Sequence, residues 1–187
     1  MTILWVILGA AALAVIWVIA SYNRLIALKN QTLNGWKQID VQLKRRYDLI
    51  PNLVETVKGV MSFEQNTLTK VIEARNRAIS AQGPADKAAK ENELSGALRQ
   101  LFALTENYPT LKANENVGKL QEELSSTENK ISFARQFYND IATSFNIAQQ
   151  SFPTNVIAGA FGFKPSELFE ITDAAERQVP KVDLNLK

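Results

Sequence analysis

The chain has 187 residues, and its 21 basic and 19 acidic side chains leave a net charge of only +2, which gives no electrostatic footprint for nucleic acid. Cys and His are both absent, so disulfides, thiolate zinc sites, Cys nucleophiles and every His-dependent triad or metal site are excluded by inventory. With 46% hydrophobic residues and only 8 Gly and 6 Pro, disorder and fibrous repeats are excluded too.

From Met1 to Asn23 no side chain is charged, and Ile3 to Ala20 is almost wholly Ile, Leu, Val, Trp and Ala. A helix needs about 20 apolar residues to cross a hydrocarbon layer about 30 Å thick, so residues 1–23 are predicted to form a transmembrane anchor. Trp5 and Tyr22 place amphipathic rings at the outer and inner headgroup zones, and Arg24 marks the inner boundary. The competing reading is a signal peptide cleaved after Val18-Ile19-Ala20. No basic residue precedes the apolar run, and the run is longer than a usual signal core, which favours a retained anchor. Arg24, Lys29, Lys37 and then Lys44-Arg45-Arg46 all lie on the C-terminal side. The positive-inside rule then leaves the short N-terminus outside and residues 24–187 in the cytoplasm, as a single-pass protein of a cell (inner) membrane.

Helical periodicity fills the remainder. Leu25, Leu28, Trp36, Ile39, Leu43, Tyr47 and Ile50 make one apolar stripe, which Pro51 is expected to break or kink. Val54, Val57, Met61, Leu68, Val71 and Ala78 make a second, ending at the turn Gln82-Gly83-Pro84. A third runs Leu94, Ala97, Leu101, Leu104, Tyr108 and stops at Pro109. The fourth alternates spacings of three and four without a slip through Val117, Leu120, Leu124, Thr127, Ile131, Ala134, Tyr138, Ile141, Phe145, Ala148 and Phe152. Phe133, Phe137 and Ile147 are expected to widen its apolar face beyond a two-stranded seam. No strand pattern competes. The fold class predicted is all-α: an N-terminal transmembrane helix running into an antiparallel up-and-down bundle of four long helices.

An even number of antiparallel helices returns the chain to the membrane near Phe152. The apolar segment 152–163 is then expected to touch lipid or another subunit through Val156, Ile157, Phe161 and Phe163, or else to cap the bundle's own core. The domains expected are an anchor at 1–23, a helical bundle at 24–171 and a polar tail at 172–187, with Val179-Pro180-Lys181-Val182-Asp183 as a flexible end or short recognition segment.

Little in this inventory carries chemistry. Glu122, Glu123 and Glu128 lie close on the fourth helix, but di-iron bundles need Glu-x-x-His pairs and there is no His. No phosphate-loop or dinucleotide spacing surrounds Gly159 and Gly162. Lys44-Arg45-Arg46 reads as a solvated face with Asp40 and Asp48 as ion partners. More informative are polar residues on core faces: Glu64 and Arg75 occupy heptad positions of the second stripe, and Glu128 and Arg135 flank the seam of the fourth helix. Cross-helix pairs Arg75–Glu128 and Glu64–Arg135 are expected, fixing register more than adding stability. No catalytic residue, cofactor or metal ligand is assigned.

Several segments resemble one family. Tyr47-Asp48-Leu49-Ile50-Pro51-Asn52-Leu53-Val54, Glu73-Ala74-Arg75, Glu106-Asn107-Tyr108-Pro109, Leu111-Lys112-Ala113-Asn114-Glu115-Asn116, Thr127-Glu128-Asn129-Lys130-Ile131, Ala134-Arg135 with Tyr138-Asn139, and Phe161-Gly162-Phe163-Lys164-Pro165 are similar, in order, to the LemA family. That resemblance implies an anchored bacterial protein with a cytoplasmic helical bundle and no established enzymatic activity. In the family, some members are linked to membrane metalloproteases by gene neighbourhood and one group to magnetosome membranes.

The function expected is therefore a non-enzymatic, membrane-anchored helical scaffold that contacts membrane lipid and self-associates as a homo-oligomer. The alternative is an adaptor or regulator of a membrane protein such as a protease. Nucleic acid is not an expected partner.

Overall fold

A computed structural model of the chain describes residues 1–60 and 64–170; Met61 of the second stripe and the tail from 172 lie outside the described residues. Among the described residues every regular element is a helix. They are α1 (Thr2–Lys58), α2 (Gln65–Ser80), α3 (Gly83–Thr105), α4 (Pro109–Lys112), α5 (Glu115–Gln150) and α6 (Thr154–Ala160). They divide into two compact units, Met1–Arg45 with Thr127–Leu168, and Arg46–Ser126 with Phe169 and Glu170, so that α1 and α5 each contribute to both.

The first unit pairs the N-terminal part of α1 with the C-terminal part of α5. Leu25 packs with Phe145, and a Cβ placed on Gly35 would stand 3.4 Å from Cα of Tyr138. The numbers rise on one helix as they fall on the other, so the pair is antiparallel. The missing side chain at Gly35 lets the helices come close, and Trp36 rests edge-on against the Tyr138 ring at 5.5 Å. Beyond α6, residues 163–168 turn back along α5. Asn146 holds them with two 2.8 Å bonds, its amide donating to the Ser166 carbonyl and its Oδ1 accepting from the Ser166 N–H. The Tyr138 hydroxyl donates to the Glu167 carbonyl at 2.6 Å.

In the second unit, α2 and α3 form an antiparallel hairpin. Gly83 takes φ +76°, a left-handed value that suits a residue without Cβ, and Pro84 opens α3 where its missing N–H costs nothing. Asp86 accepts a 3.0 Å bond from the Gln82 N–H, and Arg77 pairs with Glu93 across the hairpin at 3.1 Å. Next, α4 is a single turn opened by Pro109. Asn114 then caps α5, its Oδ1 accepting from the N–H groups of Asn116 (3.0 Å) and Val117 (3.3 Å). Gln121 on α5 reaches back to the Thr105 hydroxyl of α3 at 3.0 Å.

Four expectations change. Pro51 does not end the first helix: α1 runs through it to Lys58, and the chain turns only at Gly59, so Val54 and Val57 are buried on α1, not on the second stripe. On α3 the expected Leu94 and Leu101 are buried, but Glu91, Leu98 and Thr105 complete the buried face, while Ala97, Leu104 and Tyr108 are only half-buried. The stripe on α5 holds from Val117 to Tyr138 and then drifts: Ala142 and Gln149 are buried where Ile141 and Ala148 were expected, Phe145 stays inside, and Phe152 is left in the open. That drift is what a straight helix of 3.6 residues per turn does to a seven-residue repeat. Phe133, Phe137 and Ile147 do not widen the packed face either; all three are exposed.

Candidate functional site

Three places concentrate features that packing alone leaves unexplained. The first is the N-terminal end of the first unit. Every residue from Met1 to Trp17 is exposed, Trp5 included, although this is the most apolar stretch of the chain and is long enough as a helix to cross a membrane. Tyr22, half-buried, leans on two rings of the returning segment, with centroids 4.7 Å from Phe161 and 6.0 Å from Phe163. Arg24 is exposed.

The returning segment splits. Ile157 and Ala158 point inward and form a buried cluster with Leu25 and Phe145, against which Val18, Tyr22, Leu28 and Phe163 pack. Gly162, at φ +68°, lets the Phe163 N–H reach the Ala158 carbonyl at 3.0 Å and so closes the end of α6. Of the four residues expected to touch lipid or a subunit, Ile157 is therefore core and Phe163 is half-buried, while Val156 and Phe161 face out together with Phe152.

The second place is a groove of about 550 Å³ where α1 meets α5 in the first unit, lined on one side by Lys37, Gln38, Val41 and Gln42 and on the other by Lys130, Phe133, Ala134 and Phe137. Val41 and Phe133 are 64% and 72% exposed, an apolar surface between two basic side chains. Oε1 of Gln42 is buried there without a hydrogen-bond donor, a state that costs about 1–3 kcal/mol.

The third is a buried polar cluster in the second unit. Glu91 is fully buried on α3. One carboxylate oxygen takes a 3.1 Å charge-assisted bond from Arg46, and the other accepts from the Tyr47 hydroxyl. Arg46 also donates to the Ser95 hydroxyl at 2.8 Å. The Lys87 ammonium donates to the Ala78 carbonyl at 3.0 Å and lies 5.9 Å from the centre of the Tyr47 ring. Arg46 is thus not part of a solvated basic face, as expected from the run Lys44-Arg45-Arg46; its guanidinium is buried and paired, while Lys44 and Arg45 stay outside. Glu91 is a buried, paired carboxylate that the sequence pattern was not read to place in the core. Its signal was there: three residues before Leu94, it continues the apolar spacing of α3 backwards.

Arg75 donates from Nε to the Tyr47 carbonyl at 2.8 Å and from Nη1 to Asn76 at 3.3 Å. Glu64 is half-buried immediately before α2; Arg135 is buried on α5, and Glu128 is half-buried on the same helix. Glu64 and Arg75 belong to the second unit, Glu128 and Arg135 to the first. The expected pairs Arg75–Glu128 and Glu64–Arg135 would join one unit to the other; additive losses of stability in Arg75→Leu/Glu128→Leu would dismiss the first of them. Among the described residues no group of three or more acidic side chains could hold a metal ion.

The Tyr138 phenol and the Glu93 carboxyl are displaced from their ordinary values. Burial, and then the nearby charge of Glu167, raises the Tyr138 phenol above its ordinary range. Lys90, and after it Arg77, hold Glu93 below the usual carboxylate range against some desolvation.

The chain is similar to known proteins over most of its length. "Protein LemA" of Metamycoplasma hominis is 27% identical over 167 residues, covering 87% of this chain and 73% of that protein. "Magnetosome protein MamQ 2" of Paramagnetospirillum magneticum is 24% identical over 184 residues, covering 84% of this chain and 68% of the relative. "Magnetosome protein MamQ" of Magnetospirillum gryphiswaldense is 22% identical over the same shares. The LemA family model matches residues 35–184, from the groove on α1 through α6 and beyond, and the chain belongs to the LemA family.

Proposed function

We propose that this protein is a membrane-anchored helical scaffold without a reaction of its own. The first turns of α1 cross the bilayer with the N-terminus outside, and the rest of α1 with α2, α3 and α5 forms an antiparallel bundle of four long rods at the cytoplasmic face. The observation that carries this reading is one uninterrupted helix that passes from the wholly exposed apolar run to the packed stripe beginning at Leu25. An apolar surface of that size needs a non-aqueous partner, and its length suits a bilayer. Cleavage after Ala20 would remove Val18, which packs against the Leu25 cluster, so a retained anchor is favoured. Exposed Arg24, Lys29 and Lys37 on the C-terminal side support the cytoplasmic orientation. Contacts that run in opposite senses, Leu25 to Phe145 with Gly35 to Tyr138 in the first unit and Arg77 to Glu93 with Ala78 to Lys87 in the second, support antiparallel order.

Self-association is assigned to the groove at Val41 and Phe133. Anchors hold two copies upright at one height, so the same patch on each can meet itself about a two-fold axis along the membrane normal. A partner donor would then satisfy the buried oxygen of Gln42.

The test uses the full chain in native membranes. Alkaline carbonate should leave it in the pellet, and single cysteines introduced by Val41→Cys or Phe133→Cys should give disulfide-linked dimers. Release by carbonate would remove the anchor; a detergent-solubilised protein that stays monomeric at every concentration would remove the assembly.

A further inference from the structure

The cluster at the base of α6 fixes a depth, and depth decides what its outer face meets. Ile3 to Ala20 is 18 residues, about 27 Å of helix, which is just short of a hydrocarbon layer about 30 Å thick. The run has no turn to spare, so Val18, near its C-terminal end, lies at the edge of the hydrocarbon. Val18 packs directly on the Leu25–Phe145–Ile157–Ala158 cluster, and Tyr22, one turn on, touches the ring of Phe161 at 4.7 Å. Whatever packs against Val18 and Tyr22 shares their depth.

The outward side of this segment is apolar where its inward side is already satisfied. Ile157 and Ala158 are buried, whereas Phe152, Val156 and Phe161 are 84%, 62% and 58% exposed. In water these three would leave apolar surface open. At the level of Val18 they continue the apolar surface of the spanning helix sideways. The charges beside the patch match the same level: Lys29 lies 5.9 Å from the centre of the Phe163 ring, and Arg24 and Lys164 are exposed. Basic side chains just beyond an apolar surface suit anionic headgroups.

We propose that α6 with its flanking aromatics is a second membrane contact, seated in the boundary between headgroups and acyl chains of an anionic bilayer, with Phe152, Val156 and Phe161 immersed. The inference rests on the anchored reading above. The single helix is thereby braced at its exit: α6 packs on α1 from one side and on lipid from the other, which holds the first unit at a fixed tilt to the membrane plane.

The absence of Cys makes the test direct. Single cysteines are introduced into the full chain by Leu13→Cys, Lys44→Cys, Val156→Cys and Phe161→Cys, all at exposed positions, and labelled with an environment-sensitive fluorophore. Each is reconstituted in vesicles of phosphatidylcholine and phosphatidylglycerol, with and without nitroxide on the acyl chains near the headgroup. Lys44 is 26 residues beyond Val18, about 39 Å along α1.

The labels at 156 and 161 should shift to the blue and lose most of their emission to the lipid nitroxide, as the label at 13 does, while the label at 44 loses none. Labels at 156 and 161 that answer only to an aqueous quencher would overturn the proposal. So would labels sheltered from both quenchers, which would mean protein and not lipid covers the patch. A label at 13 untouched by lipid would instead overturn the anchor, so the two failures are told apart.

Discussion

Arg75 donates its Nε proton to the carbonyl oxygen of Tyr47 at 2.8 Å, across 28 residues of sequence. In an uninterrupted helix that oxygen would accept from the N–H four residues on, but residue 51 is Pro and has none. A side chain from α2 supplies the donor that proline removes from α1. This is how α1 passes Pro51 and reaches Lys58, and it joins two segments that carry the family resemblance, Tyr47–Val54 and Glu73–Arg75. Removing a charged donor from a buried acceptor costs about 1.5–3 kcal/mol, so Arg75→Leu should lose stability on that scale. In a Pro51→Ala background the restored N–H takes over the carbonyl, and the same substitution should cost clearly less. Urea unfolding of the four proteins in detergent, followed by circular dichroism, measures the difference; equal costs would break the link between the two residues.

The buried pair Arg46–Glu91 should behave asymmetrically. Glu91→Leu leaves a guanidinium buried without its anion and should cost about 3–5 kcal/mol, whereas Arg46→Met/Glu91→Leu should recover most of that loss. Tyr47→Phe removes one donor from the carboxylate and should cost about 1–3 kcal/mol. Thermal unfolding of the single and double variants reads all three.

Tyr138 makes stability fall at high pH. Its phenol is raised above the ordinary value of 10.0, chiefly by burial, so the folded state holds the proton more tightly than the unfolded chain. The contribution is complete below the unfolded value and is lost as pH climbs towards and through the raised folded one. Melting temperature should therefore drop above pH 10 in the native chain, and drop less steeply in Tyr138→Phe, which has no proton to lose. Identical slopes would show that the phenol is not the group responsible.

At the start of α5, Asn114 accepts two main-chain N–H groups, while Asn116, two residues on, is exposed. Asn114→Ala should cost about 1 kcal/mol, typical of a lost helix cap, and Asn116→Ala should stay within about 0.5 kcal/mol of the native chain. Comparing their denaturation midpoints separates the cap from a general effect of removing amides.

The helical content, the apolar N-terminal run and the α5 stripe up to Tyr138 were legible because each is decided locally. Periodicity and breakers act within a few residues, and charge-free length acts within one turn of the next. The candidate site was legible only in part. Val156 and Phe161 face outward as their composition suggested, but Ile157 is claimed by Leu25 and Phe145, and no local rule says which face of a seven-residue helix turns in. Arg46 looked solvated beside Asp40 and Asp48; its actual partner is Glu91, 45 residues away.

Sequence alone determined that this chain is helical, begins with a bilayer-length greasy run and lacks the side chains of His and Cys chemistry. Only tertiary structure decided that α1 survives Pro51, that Arg46 lies inside, and that the end of α6 rests on Val18 and Tyr22. Each of those outcomes depends on a hydrogen bond or an apolar contact donated from a distant segment, and pairings of that kind exist only once the chain has folded back on itself.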